Sequence, residues 1–141
     1  MEVAKLVSTW SKDTSTKTGA VVVGPDREIR ATGYNGLVRG VDDNIPERME
    51  RPTKYDFFEH AERNAIFNAC LTGTCLKGCV LYATHPPCTD CARAIIQAGI
   101  KMVVTNEMKI DSNTPTGTWR DKLSFSEQMF KEAGIEYKVL K

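Results

Sequence analysis

Two short segments far apart in this chain carry the side chains of one metal site, and any fold it adopts must bring them together. His60-Ala61-Glu62 supplies an imidazole, and Pro87-Cys88-Thr89-Asp90-Cys91 supplies two thiols. His60, Cys88 and Cys91 suit tetrahedral zinc, and three protein ligands leave the fourth position open for water, as in catalytic rather than structural sites. Zinc lowers the pKa of such a water towards neutrality, and Glu62 is free to carry its protons. Each motif alone is weak. A C-x-x-C pair can be a redox pair, half of a structural zinc site or incidental, and H-x-E is usually incidental. Their order, the Pro before the first Cys and their expected places at two helix starts favour the catalytic reading. The main competitor is a structural zinc that also takes His85, in His85-x-x-Cys88-x-x-Cys91. That reading leaves Glu62 without a role.

The rest of the chain narrows the classes. Its 141 residues fit one domain, residues 1–141, large enough to bury a core without disulfides. Lys and Arg number 19 against 18 Asp and Glu, so the basic excess of a duplex-binding protein is missing. A nucleic-acid polymer is therefore not the expected partner. No apolar run is long enough to span a bilayer, and Met1-Glu2-Val3 starts no signal peptide, so no membrane partner is expected. Five Cys without secretory context read as reduced thiols in the cytoplasm. Cys70, Cys75 and Cys79 are expected to be buried free thiols rather than ligands of a second metal.

Residues 1–10 read as a short amphipathic helix carrying Val3, Leu6, Val7 and Trp10. Gly19 to Gly24 and Ile29 to Tyr34 read as a hairpin around Pro25-Asp26-Arg27, ended by the turn residues Asn35-Gly36. Residues 37–58 are polar and aperiodic, more in keeping with a binding loop or lid than a linker. A helix follows from about Glu59 to Leu71, with Ala61, Ala65, Ile66, Ala69 and Cys70 on one face. Next come a strand over 79–84, a helix from Thr89 to about Ala98 and a strand over 101–105. A polar loop over 106–118 leads to a helix from Asp121 to Ala133 with Phe125, Met129, Phe130 and Ala133 inward. A strand over 135–140 ends the chain. The order ββαβαβαβ predicts a five-stranded mixed sheet with helices on both faces, a three-layer α/β/α sandwich. His60 and Glu62 then lie in the first turn of one helix, and Cys88 and Cys91 straddle the start of another, where free N–H groups and the positive dipole end favour thiolate. Trp10 and Trp119 read mainly as packing residues, with bordering the pocket beside the metal group the lesser alternative for Trp119.

With these residues in view, the chain resembles the deoxycytidylate (dCMP) deaminases of the cytidine deaminase superfamily. H-x-E…P-C-x-x-C is the described signature of zinc-dependent base deaminases. Ser11-Lys12-Asp13, Gly19-Ala20-Val21, Gly33-Tyr34-Asn35-Gly36, His60 to Ile66, Pro87 to Ala92 and Ile96 to Ile100 resemble that family's blocks in its order. The resemblance implies a cytidine deaminase-like fold and hydrolysis of dCMP to dUMP and ammonia. It implies zinc held by His60, Cys88 and Cys91, with Glu62 as the proton shuttle. It also implies that the Ala61 backbone N–H contacts the pyrimidine O2, that Asn35 bonds the deoxyribose 3′-hydroxyl, and that Ser11 and Lys12, with Lys17 a further candidate, help form the 5′-phosphate pocket. Asn35 as a mere turn residue and Lys12 as a solvated charge are the plainer alternatives. A homo-oligomer, a hexamer by resemblance, is implied too. Residues 37–58 lack the Cys and His that hold a second zinc in longer family members. The alternatives are a 5-substituted dCMP or an RNA adenosine as substrate, or a non-catalytic zinc-stabilised binding domain.

Overall fold

The structure is a computed structural model that describes residues 1–108 and 118–141. The chain opens with helix α1 (Glu2–Ser8), strands β1 (Gly19–Val23) and β2 (Ile29–Tyr34), and a short strand β3 (Gly36–Leu37). A 3₁₀ turn (Pro46–Met49), a one-turn helix α2 (Lys54–Phe57) and strand β4 (Phe58–Glu59) lead into helix α3 (Ala61–Leu71). Strand β5 (Val80–Ala83), helix α4 (Thr89–Gln97), strand β6 (Met102–Asn106), helix α5 (Trp119–Glu132) and strand β7 (Glu136–Leu140) complete it.

The main sheet has the order β2-β1-β5-β6-β7. β1 runs antiparallel to both neighbours, while β5, β6 and β7 are parallel and joined by helical crossovers. The strand alternation sorts side chains into two layers. Ala20 and Val22 face a core shared with Leu81, Val103, Ala65 of α3, Ile95 of α4 and Phe130 of α5. Val21 faces the other way, against Ala4 and Val7 of α1. The expected three layers and five-stranded mixed sheet are therefore present.

Two glycines bring helix backbone directly onto strands. A Cβ on Gly19 would lie 2.1 Å from the Ala4 carbonyl oxygen, and one on Gly33 would lie 2.3 Å from both the Ala61 carbonyl oxygen and the Ala65 nitrogen. The second contact seats the start of α3 on β2. Asn64 Nδ2 and Asn68 Nδ2 then donate to the Tyr34 and Thr32 carbonyls at 2.8 Å each. These bonds tie the helix to the edge strand and fix where His60 and Glu62 stand.

Several expected faces are narrower than the sequence suggests. α1 ends at Ser8 and buries only Ala4 and Val7, while Val3, Leu6 and Trp10 are exposed. The helix covers only the β1–β2 margin, so one row of side chains is enough to seat it. α3 rests on the sheet through Ala61, Ala65 and Ala69. Cys70 lies about 100° further round the helix and is exposed, as is Cys75; only Cys79 of these three thiols is buried. α5 buries Ser126 and Phe130, leaving Phe125 and Ala133 exposed, because it packs at the β7 margin with no further layer to meet them. The 37–58 segment, expected as a loop, includes α2 and the β3–β4 ribbon. Residues 109–117 of the expected polar loop lie outside the described residues. Among the described residues no helix is long and apolar enough to cross a membrane.

Candidate active site

His60 ends the β3–β4 ribbon and caps the N-terminus of α3, and Cys88 caps the N-terminus of α4. Cys91 sits one turn into α4 and is fully buried. Extended backbone at both caps turns these side chains towards each other. Cys88 Sγ and Cys91 Sγ lie 3.4 and 3.5 Å from His60 Nδ1. Bond lengths of about 2.3 Å to sulfur and 2.05 Å to nitrogen at a tetrahedral angle give a ligand–ligand separation of about 3.6 Å. The three side chains therefore fit zinc with little movement, and they form the one convergent group of His, Cys and acidic ligand atoms among the described residues. His85 stands outside that group.

The electrostatics point the same way. The two thiols share a proton, which holds Cys88 down at about 4, with His60 contributing, and pushes Cys91 far up. The hydrogen bond with Cys88 raises His60 despite its burial. A bound metal would hold two thiolates and a neutral imidazole here. Glu62, only 6% exposed, faces Cys91 Sγ at 3.6 Å. Burial pushes its carboxyl up to about 7, while the His60 charge opposes the shift. A carboxyl poised there can accept and return a proton near neutral pH.

His60 and Glu62 open onto a cavity of about 340 Å³. One wall carries Trp119, whose ring lies 6.4 Å from that of His60 and whose Nε1–H reaches Met108 Sδ at 3.2 Å. His85 lies on the wall as well. Thr84 Oγ1 takes the Gly19 N–H at 3.0 Å and bonds His85 Nδ1 at 3.1 Å. The cavity is also lined by Arg51 and Lys54, with Tyr55, Phe58, Asp13 and Asn35. Lys54 Nζ is paired with Asp13, bonds Ser15 Oγ at 2.9 Å and lies over the Phe58 ring at 5.1 Å. Arg51 lies over the Tyr55 ring at 5.8 Å.

Of the residues expected from sequence, His60, Glu62, Cys88 and Cys91 converge, Asn35 reaches the same cavity, and Ala61 opens α3 between His60 and Glu62. Ser11 and Lys12 do not line it. Ser11 is buried, donating to the Asn35 carbonyl at 2.7 Å and accepting the Asp13 N–H at 3.1 Å. Lys12 is exposed and pairs with Asp43. Alternate residues of an extended segment face opposite ways, so Lys12 points out while Ser11 and Asp13 point in. Sequence reasoning missed Arg51, Lys54, Asp13 and the pocket side of His85. The available signal was two cations close before His60, inside the one segment that already read as a lid.

Residues 1–107 match the family described as the cytidine and deoxycytidylate deaminase zinc-binding region. The chain is 42% identical over 135 residues to an uncharacterized deaminase from the luxG 3′ region of Aliivibrio fischeri, covering 96% of this chain and 86% of that one. It is 36% identical over 143 residues to human deoxycytidylate deaminase, covering 98% and 75% of the two chains. Among solved structures it resembles a cyanophage S-TIM5 dCMP deaminase in complex with dCMP and dUMP, with TM-score 0.77, 27% identity and coverage of 99% and 92%.

Proposed function

Because the chain belongs to the cytidine and deoxycytidylate deaminase family, we infer that it is a zinc-dependent hydrolase converting dCMP and water to dUMP and ammonia. One observation carries the substrate class: the cavity that opens on His60 and Glu62 is also lined by Arg51 and Lys54. A pyrimidine over the metal group and an anion at the two cations make a nucleoside monophosphate. That assignment moves the phosphate pocket from Ser11 and Lys12 to Lys54 and Arg51.

In the proposed mechanism His60, Cys88 and Cys91 hold zinc, which when bound supplies the Lewis acidity that makes water nucleophilic near neutral pH. Glu62 takes a proton from the attacking water and delivers it to N3 as oxygen adds to C4. It then carries a second proton to the exocyclic nitrogen, so that the C4–N bond breaks and ammonia leaves. The Ala61 N–H belongs to the first turn of α3, whose donors have no partner inside the helix, and it meets the pyrimidine O2. Trp119 and Phe58 bound the space for the ring and limit water. Asn35 takes the sugar.

The balanced charge supports a small nucleotide rather than a polymer as partner. Unpaired thiols throughout the described residues support a cytoplasmic setting. Core contacts shared by α3, α4, α5 and the sheet support one deaminase domain over residues 1–141. By resemblance the protein is a homo-oligomer, most simply a hexamer. Ammonia release tests the assignment, with dCMP, 5-methyl-dCMP, deoxycytidine and a tRNA anticodon stem compared at equal enzyme. dCMP is expected to be the best substrate by at least about tenfold over deoxycytidine, since charge-assisted phosphate contacts are worth roughly 1.5–3 kcal/mol each. Equal turnover of nucleotide and nucleoside would defeat the phosphate assignment.

A further inference from the structure

Asp13 has 3% exposure, and its carboxylate gathers hydrogen bonds from three parts of the chain. Oδ1 accepts the Ser15 N–H at 2.8 Å, the Ser15 hydroxyl at 2.9 Å and the Thr16 N–H at 3.3 Å. Oδ2 accepts Asn35 Nδ2 at 2.9 Å and pairs with Lys54. The second Nδ2 proton of Asn35 goes to the Thr16 carbonyl at 2.8 Å, and Asn35 Oδ1 accepts the Thr18 N–H at 2.7 Å. A backbone N–H can only donate and a backbone carbonyl can only accept, so these partners fix the amide orientation without ambiguity. Both Asn35 donors are used. Oδ1 keeps one lone pair, and Asn35 lies on the cavity wall.

We propose that Asp13 is a positioning residue that presents Asn35 to the nucleotide as an acceptor only and ties Lys54 of α2 to the same wall, so that this wall of the cavity selects a sugar bearing a hydrogen-bond donor. The proposal rests on the dCMP reading above. A 3′-hydroxyl meets the requirement by donating to Asn35 Oδ1. A group that can only accept would face Asn35 with no donor available to it. Lys54 has three ammonium protons, with Asp13 and Ser15 taking two, so one is left for the anionic end of the same ligand.

Calorimetric binding to the zinc-loaded Glu62→Gln protein, in which turnover is suppressed, tests this with four nucleotides: dCMP and its 3′-amino, 3′-fluoro and 3′-deoxy analogues. The 3′-amino compound, a donor, should bind within about fivefold of dCMP, while the acceptor-only 3′-fluoro and the 3′-deoxy compounds should both bind about 5- to 150-fold more weakly, the range for one lost hydrogen bond to a buried group. A 3′-fluoro analogue that binds like dCMP, or three analogues that bind alike, would overturn the acceptor-only assignment. If dCMP itself does not bind, the functional reading fails; if it binds and the ranking is reversed, only this inference fails. Asp13→Asn in the same background places an NH₂ group either against Asn35 Nδ2 and Lys54 or against the Ser15 and Thr16 N–H groups, donor against donor in both cases. It should retain about one zinc per chain and weaken dCMP by at least about tenfold, with a smaller penalty on the 3′-deoxy analogue, because the Asn35 contact is already absent there. Equal penalties on both nucleotides would show that Asp13 does not act through Asn35. The analogue ranking decides the acceptor question even if Asp13→Asn fails to fold.

Discussion

Glu62 is the residue whose surroundings differ most from those of its type, since carboxylates are seldom fully buried without a cationic partner. Its neighbour is a thiol, and its carboxyl is pushed up to about 7 by burial. Glu62→Gln preserves size and the acceptor oxygen but cannot carry a proton. It should keep zinc and fold while kcat falls by about 10²–10⁴-fold, the range for a general acid–base group. Ammonia release together with metal analysis checks this, and near-normal turnover removes Glu62 from the chemistry. Cys88→Ser and Cys91→Ser should each lose zinc, because an alcohol is a poor substitute for a thiolate ligand. Full zinc occupancy in both variants would reject the metal group.

Elements place these residues, and β2 with α3 is the decisive pair. Gly33 permits helix backbone to touch strand, so the metal ligand at the N-cap of α3 depends on the absence of a side chain on a neighbouring strand. Gly33→Ala puts a methyl group where the Ala61 carbonyl oxygen and the Ala65 nitrogen stand. Backbone cannot swing aside as a side chain can, so the change should destabilise by about 1–3 kcal/mol or more and loosen zinc as α3 shifts. Chemical denaturation and zinc titration read the two effects, and unchanged values for both would show that α3 does not need that close approach. α2 works differently. One helical turn would be marginal alone, and it is held through Lys54 to Asp13. Disruption of that pair should therefore loosen the wall that carries Lys54 before it loosens the metal group.

For the whole molecule, the Asp13 hub couples pH to stability. Burial alone would raise the Asp13 carboxyl, but hydrogen bonds from Lys54, Ser15 and Thr16 outweigh it and the net shift is downward. A carboxyl depressed in the folded state contributes stability that is fully present above its unfolded value, about 3.9. That contribution is lost as pH falls through the folded value. Asp13→Asn should therefore lower the urea midpoint at pH 7 and narrow the gap between variant and wild type below pH 3. A gap that stays constant from pH 7 down to about pH 2 would show that the Asp13 charge contributes nothing.

The sequence by itself singled out the His60, Cys88 and Cys91 group with Glu62 beside it, and the order of the five main strands and their helices, but not α2 or the β3–β4 ribbon. These rest on residue chemistry at fixed spacing and on period-2 and period-3.6 patterning, both of which are local. The tertiary structure decided which members of each block face inward. The family resemblance implies a phosphate contact for Ser11 and Lys12, yet extended geometry turns Lys12 outward and Asp13 inward. Phe125, Cys70 and Trp10 sit on faces that look apolar in sequence yet stay exposed, with Trp10 set edge-on to the Tyr34 ring, because α5 and α1 lie at sheet margins and α3 rests on a single row of alanines. Lys54 and Arg51 reach the cavity only because the β3–β4 ribbon folds the 37–58 segment back over it. That closure depends on contacts between residues far apart in the chain, and no local pattern encodes it.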